Sequence, residues 1–398
     1  MTGSEKKNAY HFSKRRFHAT LKWDCVSRPA IRFILIRKGS DIMNLKLDTS
    51  IPYAIALEGG GAKGAYEIGV WKALQEAGIQ YCAVSGTSVG ALNGALMVMG
   101  DLERAIEIWK EVSFSKVMNL EGINEEDFSR VLGGEFELSD LSGLLPKFFE
   151  IIRSGGLDVA PLRDWVREVV DAEMVKQSEI PLFVNTVSLS EMKDLEIRVS
   201  DLSPDEIIDM LLASAYHPAF RQSRLGGKFY TDGGFADSLP LHVLVENGYK
   251  QIIAVRIPGH GVERHFKVPE DVNVTYITTN EDLGSALNFT QEQSLQDLEI
   301  GYYDAKRVLY GLSGIHYYVE RSLTDLQALE LLIQHAPEGT SLRNYCEKVL
   351  PAMAERLEVP EGSYYDILIA LREQTAESRN LPKMQIYTDE EFLSLTQQ

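Results

Sequence analysis

Short apolar runs alternate with glycine-containing loops and helical patterns along the first part of the chain. The runs at 53–57 and 81–85 predict buried β-strands, because both are mostly apolar and too short for a helix. A helical pattern over 65–77 follows the first strand, and a helix rich in small residues over 91–99 follows the second. Strands joined through helices in this order are parallel, so the pattern predicts an α/β fold with a central, mostly parallel sheet between helices.

The same two patterns continue further along the chain. Residues 101–175 predict helices, 161–170 among them. Ser203, Pro204 and Glu206 supply the N-cap, first-turn and capping-box signals of another helix. The further predicted strands are 180–189, 195–199, the run that ends at 232, 251–257 and 273–278.

Charge divides the chain unevenly. The formal net charge is −18, but residues 1–42 hold ten Lys and Arg against three Asp and Glu. The apolar runs of this segment are too short for a secretory signal, so we expect a disordered or non-native basic extension. Residues 43–282 predict the α/β domain, and the helical, acidic pattern of 283–398 predicts a mainly helical C-terminal appendage.

The composition excludes several classes of protein. Binding to nucleic acid needs a basic surface, which a chain this acidic lacks, so we expect no nucleic acid partner. No apolar run is long enough for a transmembrane segment, which leaves transient contact at a membrane surface. Cys25, Cys82 and Cys346 have no metal-ligand spacing. We expect reduced thiols in a cytoplasmic protein that holds neither metal nor cofactor.

The sequence GTSVG at 86–90 fits the G-x-S-x-G pattern of a nucleophile elbow. Gly86 and Gly90 stand two residues either side of Ser88, and Thr87 and Val89 complete the turn. A serine on such a strand-to-helix turn projects at a helix N-terminus, where developing negative charge is favoured. The pattern predicts Ser88 as a nucleophile, and a purely structural turn is the alternative.

The glycine-rich loop GGGAKG at 59–64 allows several interpretations. A dinucleotide site needs an acidic residue at the end of the second strand, but that strand ends in Ser85. A Walker loop needs Ser or Thr after Lys63, where Gly64 stands. The remaining functional interpretation is an oxyanion hole of consecutive backbone N–H groups, and a tight turn without a ligand is the alternative.

A serine nucleophile needs a base, and the TDGG motif offers one. It places Asp232 at the end of a strand, before Gly233 and Gly234. Taken alone, the motif favours a plain turn. Histidine is the commoner base, and the residue order of α/β-hydrolases would permit His260 or a later histidine, but no motif selects one. We expect His217 to be a pocket or core residue.

Together and in this order, the three motifs resemble those of the patatin-like phospholipase family in its bacterial form. GGGAKG is similar to the family's oxyanion loop, GTSVG to its nucleophile elbow and DGG to its aspartate motif, and the resemblance covers about 51–257. It implies a three-layer α/β/α sandwich that hydrolyses acyl esters of phospholipid or lysophospholipid with a Ser88–Asp232 dyad. It also implies that the oxyanion is bound by the loop residues Gly59, Gly60, Gly61, Ala62, Lys63 and Gly64, above all by the N–H groups of Gly60 and Gly61.

Alternatives stay open beside this resemblance. The same dyad would serve a lipid acyltransferase or a general carboxylesterase, and the fold could belong to a non-catalytic lipid-binding protein. A nucleotide-dependent oxidoreductase is disfavoured by the missing acid. Glu58 either faces the anion pocket or forms a salt bridge away from it, and Lys63 either meets a lipid phosphate or supports loop carbonyls. Residues 144–152 predict a core segment, with a lipid-touching cap as the alternative.

Overall fold

Seven β-strands form the central sheet of the part of the chain that the computed structural model describes, residues 44–120, 123–125, 128, 153, 155–259, 261–337, 339–359 and 363–397. The predicted segments 1–42 and 144–152 lie outside these residues. Each run predicted as a strand is present. The strands are β1 (Tyr53–Leu57), β2 (Tyr81–Thr87), β3 (Leu182–Ser188), β4 (Lys193–Arg198), β5 (Tyr230–Asp232), β6 (Gln251–Val255) and β7 (Asn273–Ile277).

The sheet is mostly parallel, as predicted. Its order is β4–β3–β2–β1–β6–β7, and β5 pairs with β3. The β1–β2, β1–β6, β2–β3 and β6–β7 pairs are parallel, whereas β4 and β5 run antiparallel to β3. The helices are α1 (Ala65–Glu76), α2 (Val89–Met99), α3 (Leu102–Lys110), α4 (Phe114–Val117), α5 (Ala160–Val169), α6 (Ala172–Gln177), α7 (Pro204–Ser214), α8 (Leu241–Glu246), α9 (Gln291–Tyr310), α10 (Asp325–Gln334), α11 (Leu342–Asn344), α12 (Leu350–Arg356), α13 (Tyr364–Ser378) and α14 (Asp389–Leu395).

Alternating side chains of β1 place helices on both faces of the sheet. Ile55 and Leu57 belong to the hydrophobic cluster that also contains α1 and α2 residues. Ala54 and Ala56 belong to a second cluster, with Leu244 of α8. Because neighbouring residues of a strand point to opposite faces, each face is covered by its own helices. The predicted three-layer α/β/α fold is confirmed. No helix in the described ranges is long and apolar enough to cross a membrane.

Helix α9 packs directly on α1, and two glycines allow that close contact. A Cβ atom at Gly69 of α1 would lie 2.0 Å from the Leu298 carbonyl oxygen, and one at Gly301 of α9 would lie 2.0 Å from that of Tyr66. Ile300 and other α9 residues join the same core as α1. A helix beyond the predicted boundary at 282/283 therefore completes the core on one face of the sheet.

The region after α9 has its own hydrophobic cluster, built by residues of α10, α12, α13 and α14. The sequence pattern predicts a mainly helical region without naming a strand in it, and the structure adds two three-residue strands, β8 (Tyr318–Glu320) and β9 (Ile386–Thr388), which pair in parallel. A π-helical turn, Tyr345–Val349, precedes α12. Strands this short carry too few residues for an alternating pattern to be recognised.

The edge of β3 brings two distant chain segments end to end. Residues 182–185 of β3 pair with β2, and the pair nearest the end of β2 is Asn185 with Thr87. The next β3 residue, Thr186, pairs with Asp232 of β5. Since β4 occupies the opposite edge of β3, β2 and β5 share one edge, and the C-terminal end of β2 abuts Asp232.

Candidate active site

Ser88 lies in the sharp turn between β2 and α2. Its backbone has φ 55° and ψ −123°, a conformation that residues other than glycine rarely adopt. The flanking glycines are required by close contacts: a Cβ atom at Gly86 would lie 2.2 Å from the Gly90 carbonyl oxygen, and one at Gly90 would lie 2.6 Å from that of Leu57. The G-x-S-x-G spacing thus forms a strained strand-to-helix turn that presents Ser88.

Asp232 contacts Ser88 directly. The Ser88 hydroxyl donates a hydrogen bond to Asp232 Oδ2 at 2.6 Å, across a separation of 144 positions in the chain. The other carboxylate oxygen accepts the Gly234 N–H at 2.8 Å. Both side chains are almost wholly buried, with 8% of each residue exposed. The structure therefore brings together the two residues singled out in the sequence.

The environment of Asp232 changes its acidity. Burial raises the pKa of the Asp232 carboxyl to about 6, although the hydrogen bonds from Ser88 and Gly234 oppose that rise. A carboxylate with a pKa near 6 is a stronger base than a solvated one and is still mostly ionised at neutral pH. Asp232 can accordingly accept a proton from the Ser88 hydroxyl.

The glycine-rich loop lies against Ser88. A Cβ atom at Gly59 would lie 3.1 Å from Ser88 Cβ. The Gly59 N–H donates to Ser238 O at 2.9 Å, and the Ala62 N–H to Ala286 O at 2.8 Å. By contrast, no acceptor in the described ranges receives the N–H of the two residues between them, 60 and 61. Two adjacent backbone donors therefore remain available beside the serine.

Close packing fixes the conformation of this loop. Gly61 has φ +61°, and a Cβ atom there would lie 2.2 Å from Ala286 O. A Cβ atom at Gly60 would lie 2.7 Å from Ile257 Cδ1, and one at Gly64 would lie 2.4 Å from Val89 Cγ2. Larger residues would displace the loop from the serine.

Two charged residues, Glu58 just before the loop and Lys63 within it, bind neighbouring groups. Glu58 accepts the Ile257 N–H at 2.9 Å and lies 3.7 Å from Arg256 Nε, so it forms the ion pair that was one of its two predicted interpretations. Burial raises the pKa of Glu58, and Arg256 opposes that rise. Lys63 Nζ donates to Pro258 O at 2.5 Å, a carbonyl of the neighbouring loop rather than of its own.

The turn after Asp232 is held by buried polar contacts. Thr87 Oγ1 donates to Asp237 O at 2.9 Å, and Asn185 Nδ2 donates to the same oxygen at 2.9 Å and to Gly233 O at 3.3 Å. A Cβ atom at Gly233 would lie 2.3 Å from Asn185 O. Thr87 and Asn185 of β3 thus both hold the turn that runs from Gly233 to Asp237.

A cavity of about 700 Å³ opens beside the Ser88–Asp232 pair. Near the pair its wall is formed by the glycine-rich loop, and away from it the lining is largely apolar. The apolar side chains come from α2, α3 and α5, and include Val89, Leu92, Leu96, Ile108, Trp165 and Val166. Such a cavity, apolar with a few polar groups at one end, is typical of a site for a small apolar ligand.

His217 lines the cavity, in agreement with the prediction of a pocket residue. Its Nδ1 accepts the N–H of Ala219 at 3.2 Å, and its ring contacts Phe220 edge-on. Burial lowers the pKa of the imidazole. No histidine nitrogen in the described ranges is bonded to Ser88 or Asp232. His260 lies outside those ranges.

Two further polar residues that are not predicted as site residues contact the site, Ser214 at the Ser88 backbone and Ser238 at the glycine-rich loop. Ser214 Oγ accepts the Ser88 N–H at 2.8 Å, and Ser238 O accepts the Gly59 N–H. Ser214 ends α7 in the small-residue run ASA, which offers no signal beyond close packing. No group of His, Cys, Asp and Glu that could hold a metal ion is found among the residues with described positions.

Several known proteins are similar to this chain. The model of the patatin-like phospholipase family matches residues 55–245. Lysophospholipase NTE1 of Mycosarcoma maydis is 27% identical over 207 residues, which are 51% of this chain and 9% of that protein. An uncharacterized NTE family protein of Mycobacterium bovis is 24% identical over 206 residues, 52% of this chain and 49% of that protein.

This chain therefore spans less than half the length of either relative. Among solved structures, VipD from Legionella pneumophila is 15% identical with a TM-score of 0.39, and the match covers 83% of this chain and 85% of that one. The family match spans β1 to α8 and contains the glycine-rich loop, the elbow and the aspartate turn. On that match, a patatin-like phospholipase domain spans residues 55–245 of the chain.

Proposed function

We propose that this protein is a serine acyl hydrolase that cleaves acyl esters of lipids, with phospholipid or lysophospholipid as the substrate. The observation that carries the proposal is the 2.6 Å hydrogen bond from Ser88 to a buried Asp232 at one end of an apolar cavity. A nucleophile, a base in contact with it and free N–H donors beside it are the groups that acyl transfer needs.

In the proposed reaction, Ser88 Oγ attacks the ester carbonyl carbon while its proton passes to Asp232. The carbonyl oxygen becomes an oxyanion, which the N–H groups of Gly60 and Gly61 stabilise. The C–O bond to the alcohol then breaks, and Asp232 returns the proton to the departing alcohol. Water, deprotonated by Asp232, attacks the resulting acyl–serine ester, and the fatty acid leaves as Ser88 regains its proton.

The shape of the cavity supports an acyl chain as the bound group. Val89, Leu92 and Leu96 lie on one face of α2 and all line the cavity, which starts at Ser88 at the helix N-terminus. With a rise of about 1.5 Å per residue, Val89 and Leu96 are about 10 Å apart along the helix. The apolar lining therefore extends well past the reacting ester and gives a long acyl chain a dry contact surface.

The test is turnover of a lipid-ester panel by the wild type and Ser88→Ala. The panel holds a phospholipid, a lysophospholipid, a neutral glyceride and a short-chain ester, and mass spectrometry identifies the products. We expect free fatty acid from wild type only. A fluorophosphonate probe should label wild type and the matched variant Ser85→Ala, but not Ser88→Ala. Equal turnover by Ser88→Ala, or absence of turnover and labelling in wild type, would exclude the proposal and favour a lipid-binding protein.

A further inference from the structure

Ser88 has a strained backbone that needs support from its surroundings. A residue other than glycine at φ 55° is strained and persists only where neighbouring groups hold it. The glycines of the elbow permit the turn but make no hydrogen bond to the Ser88 N–H. That buried N–H is instead accepted by Ser214 Oγ at 2.8 Å.

The Ser214 hydroxyl connects two elements of the site. While it accepts from Ser88, it donates to Asn185 O at 2.6 Å, so its single proton and one of its lone pairs are both used. Asn185 pairs with the end of β2, and the next β3 residue pairs with Asp232. Ser214 is fully buried, so water does not compete for these bonds.

The same short segment also holds the base. Two residues after Ser214, the Tyr216 carbonyl oxygen accepts the Asp232 N–H at 3.0 Å. One turn of chain at the end of α7 therefore binds the backbone of Ser88 through a side chain and the backbone of Asp232 through a carbonyl. Displacement of either contact would change the Ser88–Asp232 distance directly.

We propose that Ser214 is a positioning residue, whose hydroxyl fixes the Ser88 backbone relative to Asp232 and so sets the geometry of the reacting pair. The inference rests on the proposed function, and it extends that function to a residue that touches neither substrate nor reacting atoms. Geometry errors of about 1 Å in such a site reduce turnover on the order of a hundredfold.

The experiment compares Ser214→Ala with Ser85→Ala, a matched loss of another fully buried serine hydroxyl. Ser85 lies on β2, the strand that leads into the elbow, and its Oγ donates to Pro240 O at 2.9 Å. It does not contact the Ser88–Asp232 pair. For a short-chain ester we expect kcat of Ser214→Ala to fall about tenfold to a hundredfold with KM unchanged. Ser85→Ala should keep kcat within about threefold of wild type, since only a remote hydrogen bond is lost.

The pH profile supplies a second readout that general destabilisation would not move. The hydrogen bond from Ser88 lowers the pKa of Asp232, so loosening it should shift the acid limb of kcat/KM to higher pH in Ser214→Ala. Should Ser214→Ala fail to fold, Ser214→Cys, of similar volume and with a weaker acceptor, carries the same test.

A Ser214 variant with wild-type kcat and an unmoved acid limb would overturn the proposal, as would equal losses in Ser214→Ala and Ser85→Ala. Failure of the proposed function would look different, because the wild type itself would then show no turnover that depends on Ser88.

Discussion

Two buried carboxylates, Asp232 in the sheet domain and Glu373 in the C-terminal region, illustrate two uses of a buried charge. Each residue is at least nine-tenths buried, and burial raises the pKa of both carboxyls. Glu373 Oε1 accepts three consecutive backbone N–H groups, those of residues 315, 316 and 317, at 2.8, 3.0 and 2.9 Å. Asp232 accepts one backbone N–H and the Ser88 hydroxyl.

The two carboxylates also differ in whether they line the cavity. Glu373 lies on α13 beneath the segment that leads into β8 and does not line the cavity. Asp232 lines it. A carboxylate whose oxygen accepts several backbone N–H groups holds a loop, whereas one that accepts a serine hydroxyl beside an open cavity is placed for the proposed chemistry. Hydrogen-bond partners and the adjacent cavity distinguish the two roles, and burial alone does not.

The largest expected effect is that of Asp232→Asn. An amide of the same shape cannot accept the Ser88 proton, so we expect kcat to fall by about ten thousandfold while the fold is retained. Kinetics with a short-chain ester measure this. His217→Ala is the control, since His217 also lines the cavity but contacts neither Ser88 nor Asp232, and it should keep most of its turnover. Full activity of Asp232→Asn would disprove the dyad.

The next effect is that of Gly61→Ala in the glycine-rich loop. The left-handed backbone and the contact with Ala286 O leave no room for a methyl group, so the loop must move away from Ser88. Loss of one oxyanion donor reduces kcat by about a hundredfold to a thousandfold. Steady-state kinetics give the value, and circular dichroism checks the fold. Gly78→Ala, at a positive-φ glycine with open space around it, is the control for backbone strain alone and should keep its kcat.

Glu373→Ala tests whether the buried carboxylate of the C-terminal region stabilises the fold. Three buried N–H groups would lose their acceptor, and we expect the free energy of unfolding to fall by about 3 kcal/mol. Urea unfolding measures this. Glu373→Gln keeps an acceptor oxygen and should lose less. In both variants kcat per folded molecule should equal that of wild type, and a fall as large as that of Asp232→Asn would contradict a structural role.

The smallest expected change is the fall of wild-type turnover as the pH is lowered. The base must be ionised, and burial raises the pKa of Asp232 to about 6. Activity should therefore be constant above neutral pH, half-maximal near pH 6 and about tenfold lower for each further pH unit below that. The profile of kcat/KM with an uncharged ester measures it. A midpoint near 4, the ordinary value for a carboxyl, would show that burial leaves this acid unchanged.

The local pattern was sufficient for most of the fold and for selecting Ser88 and Asp232, which the structure brings into contact. Strands β1 and β2 are mostly apolar runs bounded by turns and joined through α1, so their positions and parallel pairing follow from periodicity and connection type. The elbow and the glycine-rich loop are recognisable because close backbone contacts exclude side chains, which leaves glycines at fixed spacings. The strands β8 and β9 are not predicted, since three residues hold no periodic signal and, unlike β5, neither is followed by a glycine turn that marks its end.

The sequence by itself determined which serine and aspartate to consider, what kind of turn holds each and which loop supplies free N–H groups. Only the tertiary structure decided that β5 continues along the edge of β3 where β2 stops, which places Asp232 2.6 Å from Ser88. It also decided the raised pKa of Asp232 and the hydrogen bond between the Ser88 N–H and Ser214. The physical reason is that steric demands on the backbone are local and leave a sequence pattern, whereas strand pairing, burial and long-range hydrogen bonds arise between residues far apart in the chain.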